Sequence, residues 1–383
     1  MRMTWLLGLM SCLGAMPGVA NAADAAAPKM PVFTQQTARD IIAASRKVVS
    51  GRGIETQLQI PVNGTQQWIS IRGNDLRNPI LLFLHGDPAS PDMPLAYTFQ
   101  TPWEDYFTVV QWDQRGAGKT YAANDPAPLG PSMTIAQMQS DAEEVVSYLR
   151  KTYHKQKIFL LGHSWGSVLG VRVAQAHPDW FHAYIGVGQV VNFRESEALG
   201  YRYAIDQAKA HDNQEALRDL AGIAPYPAPG KPLELATIGT QRKWLEYYGG
   251  LAWGRTSFHY DSEAEKLAPE YDDHDLAAID DGSLFTMRYL LAPLTEVDLT
   301  HSTHFDLPVL LFIGRHDYSV SHELSARWFA TLHAPAKKLV WFEDSAHMVM
   351  QEQPGRFLMH LVNDARPYAV KTGDAAPDEI IER

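Results

Sequence analysis

Gly162-His163-Ser164-Trp165-Gly166 constrains this chain more than any other segment. It follows an apolar run, Lys157-Ile158-Phe159-Leu160-Leu161, and precedes helix-compatible sequence over residues 168–176. A buried strand that turns sharply into a helix through Gly-x-Ser-x-Gly is a nucleophile elbow. Such a turn strains the serine backbone and needs small residues two positions to either side, which Gly162 and Gly166 supply. It lifts the hydroxyl to the rim of a sheet and sets the next backbone N–H, that of Trp165, where an oxyanion can be bound. The five residues alone would also suit a plain glycine-rich turn. The strand before and the helix after separate the two readings.

Two later segments extend the pattern. Leu307-Pro308-Val309-Leu310-Leu311-Phe312-Ile313 reads as a buried strand and ends in Gly314-Arg315-His316-Asp317. Lys338-Leu339-Val340-Trp341-Phe342 reads as another and leads to Glu343-Asp344-Ser345-Ala346-His347. The order Ser164, Asp317, His347 is the order of the α/β-hydrolase triad. In that arrangement the carboxylate holds the imidazole in one tautomer, and the imidazole takes the serine proton. Asp344 is the rival acid, but it lies on the same turn as His347. Asp317 would otherwise be a helix cap or a surface acid.

The rest of the chain fits that order. Residues 55–60 and 67–71 alternate around Asn63-Gly64, a hairpin signal. Residues 78–85 and 106–112 read as buried strands, and Thr134-Ile135-Ala136-Gln137 as a capping box opening a helix. Strand–helix alternation up to about residue 190 predicts a mostly parallel sheet flanked by helices. From Asn192 the sequence turns helical and aromatic-rich until the sheet pattern resumes at Leu307. The predicted organisation is a signal peptide over 1–22, a lead over 23–50, an α/β core over 51–190 and 305–370, a helical cap over 191–304 and a polar tail over 371–383.

The signal peptide rests on Arg2, an apolar run over residues 5–16, the breaker Pro17-Gly18 and the small residues of Ala20-Asn21-Ala22. The run is too short to span a membrane. Cleavage after Ala22 predicts an exported protein, periplasmic or secreted. The one cysteine, Cys12, falls inside the signal, and a lipoprotein anchored there is the alternative. A formal net charge of −11 and the lack of a basic cluster argue against a nucleic-acid or anionic-membrane partner.

Five segments together resemble the α/β hydrolases of the proline iminopeptidase type: Leu84-His85-Gly86-Asp87-Pro88, Asp113-Gln114-Arg115-Gly116-Ala117-Gly118, Gly162 to Ser167, Gly314 to Asp317 and Ser345-Ala346-His347. The resemblance spans residues 55–368. It implies an α/β-hydrolase fold with a helical cap insertion, a second oxyanion N–H at Asp87 beside that of Trp165, and a cap that holds the substrate's free amino end. Glu246 is the cap acid that this reading nominates, against a solvated helix face. One departure is notable. The family has His-Gly-Gly-Pro-Gly where this chain has His85-Gly86-Asp87-Pro88-Ala89. A carboxylate aimed at an oxyanion would oppose it, so the Asp87 side chain is expected to turn away, toward a cation.

Other chemistry fits less well. Gly118-Lys119-Thr120 lacks the upstream glycine of a phosphate loop, because Asp113 stands there. His301, His304 and Asp306 form too short a pattern for a metal site. A serine at position 164 suits acyl transfer, whereas the related alkyl-transfer enzymes use a carboxylate. The expectation is a serine hydrolase without cofactor or metal, acting on a small molecule or short peptide. An aminopeptidase is the first reading, a carboxylic-ester hydrolase the second, and a non-catalytic binding protein the reading from another class.

Overall fold

The computed structural model describes residues 32–377. The signal-peptide and lipoprotein readings therefore lie outside the described residues. After helix α1 (Gln35–Ser45), strands β1 (Ile54–Val62) and β2 (Thr65–Gly73) form an antiparallel hairpin in register from Ile54–Gly73 to Val62–Thr65. Its two-residue turn needs positive φ at both positions, and Asn63 and Gly64 adopt 43° and 80°.

Strands β3 (Ile80–Leu84), β4 (Thr108–Trp112), β5 (Ile158–His163), β6 (Phe181–Val187), β7 (Val309–Gly314) and β8 (Lys337–Phe342) complete an eight-stranded sheet. Its order is β1-β2-β4-β3-β5-β6-β7-β8. β4 meets β2 antiparallel and β3 parallel, and every pair from β3 to β8 is parallel. This is the α/β-hydrolase fold. Strands β3 to β7 are buried at every position, as parallel strands covered on both faces must be. The outermost strand, β8, begins with exposed Lys337 and Lys338, charges that discourage edge pairing.

Strand alternation divides the core into two layers. Leu82 and Leu84 of β3 join Leu160 of β5 and pack on α4 (Ile135–Thr152) and α5 (Trp165–Ala176). Leu81 and Phe83 join Phe159 and Leu161 on the other face, against Trp103 and Phe357. Thr134 caps α4 by accepting from the Gln137 N–H. The Gln137 side chain does not reach back to close a capping box; it donates to Asp141 instead, at 2.9 Å. Asp141 is fully buried and needs those donors to balance its charge.

Two short helices, α2 (Gly118–Ala122) and α3 (Pro126–Leu129), follow β4. Between β6 and β7 stand five more: α6 (Phe193–Ala210), α7 (Gln214–Gly222), α8 (Leu235–Tyr247), α9 (His259–Glu265) and α10 (Asp273–Thr295). Asn192, Asn213 and Asp272 cap α6, α7 and α10 with their side chains. Helices α6, α7 and α8 share a small apolar cluster of their own around Ala204, Ala208, Leu220 and Trp244. Helix α10 lies on α2, where a Cβ added to Gly282 would fall 2.4 Å from the Gly116 carbonyl oxygen.

Candidate active site

Ser164 sits between β5 and α5 with φ 53° and ψ −122°, a strained conformation for a residue with a Cβ. The approach of neighbouring backbone explains its flanking glycines. A Cβ at Gly162 would lie 2.6 Å from the Gly166 carbonyl oxygen, and one at Gly166 would lie 2.0 Å from that of Leu84. The Ser164 N–H donates to the Val187 carbonyl at 3.0 Å, which pins the elbow to β6. The Trp165 N–H opens α5, so the helix dipole adds positive potential at that point.

His347 follows β8 and Asp317 follows β7, and both are buried. His347 Nδ1 donates to Asp317 Oδ2 at 2.8 Å, while Asp317 Oδ1 accepts from the Val320 N–H at 2.8 Å. Nδ1 therefore carries the proton, and Nε2 keeps the lone pair that a general base requires. Asp344 is exposed and bonds to neither group. A Cβ at Gly188 would meet His347 Cε1 at 2.6 Å, so the imidazole rests against bare backbone. Ser164 and His347 line one cavity of about 530 Å³, with no hydrogen bond between them.

The Asp113-Gln114-Arg115 element braces this region. Gln114 donates to the His85 carbonyl at 3.1 Å and accepts from Trp165 Nε1 at 3.0 Å, joining the loop after β3 to the elbow. Burial pushes His85 down to about 4, so it is neutral; Nδ1 donates to the Gly86 carbonyl and Nε2 accepts from the Gln114 N–H. Arg115 pairs with Asp141 through two hydrogen bonds, 2.6 and 3.0 Å. Asp113 accepts from the Lys119 N–H and from the Tyr271 hydroxyl of the insertion. Its burial pushes it up to about 7.

Asp87 holds φ 30° and is among the residues that line the cavity. Burial raises its pKa, and the charges of Arg242 and His347 oppose the rise. A cation is thus nearby, but no ion pair forms between Asp87 and Arg242.

The insertion roofs the cavity with residues of α6, α8, α9 and α10, and it is a cap in that sense. Glu246 is not among the lining residues. Its carboxylate turns back to accept from the Phe258 N–H and faces a separate surface pocket. Helix α9 opens at Phe258, whose side chain cannot cap it, so the first N–H takes an acceptor from α8. Glu195 is exposed and pairs with Arg327. Glu197 is buried and pairs with Arg242, which lines the cavity.

Two further acids line the cavity, Asp92 from the loop after β3 and Glu265 at the end of α9. Neither pairs with a lysine or arginine among the described residues. Burial, aided by Asp92, Asp280 and Asp261, pushes Glu265 up to about 7. No sequence motif marks either residue, because they converge only through the tertiary fold. His301 and Asp306 are exposed and His304 reaches only Asp306, at 3.5 Å, so these three do not assemble a metal site.

Residues 103–354 match the serine aminopeptidase S33 family. A probable aminopeptidase of Bacillus subtilis, YbaC, is 32% identical over 322 residues, covering 82% of this chain and 98% of its own length. The proline iminopeptidase of Neisseria gonorrhoeae is 33% identical over a shorter stretch, 26% of this chain and 29% of that protein. Among solved structures, the proline iminopeptidase of Mycobacterium smegmatis superposes with a TM-score of 0.60 over 83% of this chain and all of that one, at 16% identity, a likeness of fold. With a family match across most of its length and a relative aligned nearly end to end, this chain belongs to the S33 serine aminopeptidases of the α/β-hydrolase class.

Proposed function

We propose that this protein is a serine hydrolase that releases N-terminal residues from short peptides or small amides through an acyl-enzyme. Ser164 attacks the scissile carbonyl as His347 Nε2 takes its proton, and Asp317 holds the imidazole for that task. The backbone N–H groups of Asp87 and Trp165 receive the oxyanion. Collapse expels the amine, protonated by His347. A water activated by the same imidazole then frees the acid.

The observation that favours an amine substrate is the pair of unpaired carboxylates, Asp92 and Glu265, in the cavity that Ser164 lines. An acid withdrawn from water without a cation is costly; Asp92 is buried and Glu265 half-buried, and a substrate ammonium would relieve that cost. Esterase chemistry is the second reading, favoured by the apolar side chains that also line the cavity, among them Leu95, Phe193, Ile238 and Met287. A matched panel of aminoacyl anilides, their N-acetyl derivatives and nitrophenyl esters separates the two. Strict dependence on the free amine supports the aminopeptidase. Indifference to acetylation supports the esterase.

A further inference from the structure

The cavity carries opposite electrical character on different walls. One wall holds two carboxyl groups, those of Asp92 and Glu265, and the imidazole of His163. His163 Nε2 donates to the His347 carbonyl at 3.1 Å, because a carbonyl only accepts. In the neutral ring Nδ1 is then a lone pair. It is buried without a hydrogen-bond partner and lies 3.7 Å from Asp92 Oδ2. Glu265 belongs to the same group, since Asp92 is the leading charge acting on it. This wall is beside the nucleophile: a single point over Gly86 lies 3.0 Å from Ser164 Cβ and 3.3 Å from His163 Nδ1. An ammonium, with three donors and a positive charge, fits such a set.

The other wall is built around Arg242 of α8. Its guanidinium donates to Glu197 Oε1 and to Gln241 Oε1. Both partners are buried, and Glu197 is itself fixed by the Tyr226 hydroxyl. Two of five N–H donors are thereby used for orientation. The others have no partner among the described residues; the side chain is 27% exposed and lines both the cavity and a neighbouring surface pocket. Glu197 is the leading charge acting on Arg242, with Asp87 behind it. Arg242 lines the same cavity as Ser164 and His347. The departing amine must collect its proton from His347 within that cavity. In a dipeptide, a free carboxylate sits one carbon from that nitrogen.

We propose that Arg242 receives the free C-terminal carboxylate of the departing residue, which makes short peptides with an unblocked C-terminus, dipeptides foremost, the preferred substrates. This rests on the aminopeptidase reading. A pre-oriented guanidinium is suited to planar, two-point capture of a carboxylate, and it can serve Glu197 and a ligand at once. Longer peptides have a neutral amide where the dipeptide has its carboxylate, and they would have to pass Gly239 and Arg242, which also line the adjoining surface pocket.

The test uses one dipeptide as its free acid, its C-terminal amide and its N-acetyl derivative, with amine release measured for the purified protein. The first residue is the one whose anilide is hydrolysed best. The free acid is expected to exceed the amide in kcat/KM by about ten-fold or more, chiefly through KM, as loss of a charge-assisted bidentate contact implies. Arg242→Gln should bring that ratio close to one, and Arg242→Lys should keep part of it. A wild-type ratio near one overturns the proposal without any variant, leaving Arg242 as a clamp for Glu197. So does a ratio unchanged in Arg242→Gln. Equal hydrolysis of the N-acetyl and free dipeptides would instead remove the aminopeptidase reading, and this proposal with it.

Discussion

The backbone N–H of His347 donates to the carbonyl of Leu251 at 2.9 Å, so the candidate base is suspended from the cap insertion. The same short stretch receives the loop that carries Asp317, because the N–H groups of Tyr318 and Ser319 both donate to the Gly250 carbonyl. Glu352 closes the arrangement by accepting from the backbone of Trp253 and of Ala346. The placement of His347 and Asp317 and the position of the cap are therefore one mechanical problem.

Replacing the nucleophile should separate chemistry from folding. Ser164→Ala is expected to lower kcat by roughly 10³-fold or more, since the triad acts as a unit. Circular dichroism should be unchanged. A folded variant with near-normal turnover would refute the serine mechanism and restore the binding-protein reading.

The acid can be identified by comparison. Asp317→Asn should reduce turnover on the order of 10⁴-fold by releasing the imidazole into the wrong tautomer. Asp344→Asn, on an exposed carboxylate, should leave kcat within about two-fold, as surface substitutions usually do. The reverse ranking would reassign the third member of the triad.

Glu352 offers a pH test with a defined sign. Burial holds its folded-state pKa at about 7, above its ordinary value of 4.5. Between those values the folded protein keeps a proton that the unfolded chain has released. Stability should thus fall as pH rises through that window, by at most about 3 kcal/mol from this group. Glu352→Gln should flatten the corresponding part of the Tm–pH profile. Glu352→Ala should also lower kcat, because the Ala346 N–H beside His347 loses its acceptor, at about 1–3 kcal/mol for an unpaired buried group.

Substrate binding should titrate with Glu265. Below about 7 this acid is protonated and offers no charge. The KM of a free-amine anilide is therefore expected to rise as pH falls through that value. Glu265→Gln should raise KM by about ten- to a hundred-fold for such substrates, between the limits for exposed and buried pairs, and spare nitrophenyl acetate. Glu246→Gln should not alter the ratio of the two activities. If it did while Glu265→Gln did not, the ammonium would belong on the other side of α8.

Export is checked at the N-terminus. The mature protein should start at Ala23 and be recovered outside the cytoplasm. Mass spectrometry that finds a lipid on Cys12 would establish the anchored alternative.

Much of the scaffold is legible because it is set by local chemistry. Asn63-Gly64 accepts the dihedrals of a tight hairpin, and the glycines around Ser164 are forced by backbone contacts that a sequence pattern already encodes. Asp317 and His347 each follow a continuous apolar run, so strand order alone brings them to one edge of the sheet. The cap is different. Arg242 and Glu246 are one helical turn apart on α8, yet one lines the cavity and the other bends back to the Phe258 N–H. That divergence depends on where α9 starts, which periodicity in α8 cannot reveal. Phe258 offered one clue, as a helix start without a side-chain acceptor of its own. Asp92 and Glu265 are invisible for a similar reason, being brought together by packing between a core loop and a distant helix.

The contact of Gly282 with the Gly116 carbonyl has a practical corollary for engineering. The Thr286 hydroxyl donates to the same carbonyl at 3.3 Å, Tyr271 reaches Asp113, and Asp275 pairs with Lys119. Every one of these partners lies between β4 and the end of α2, outside the stretch that would be cut when swapping the lid between relatives. A chimera joined only at the obvious boundaries after β6 and before β7 would seat a foreign α10 on a surface shaped for glycine at position 282. Transplanted specificity in this scaffold therefore requires a second, non-contiguous graft covering residues 113–122.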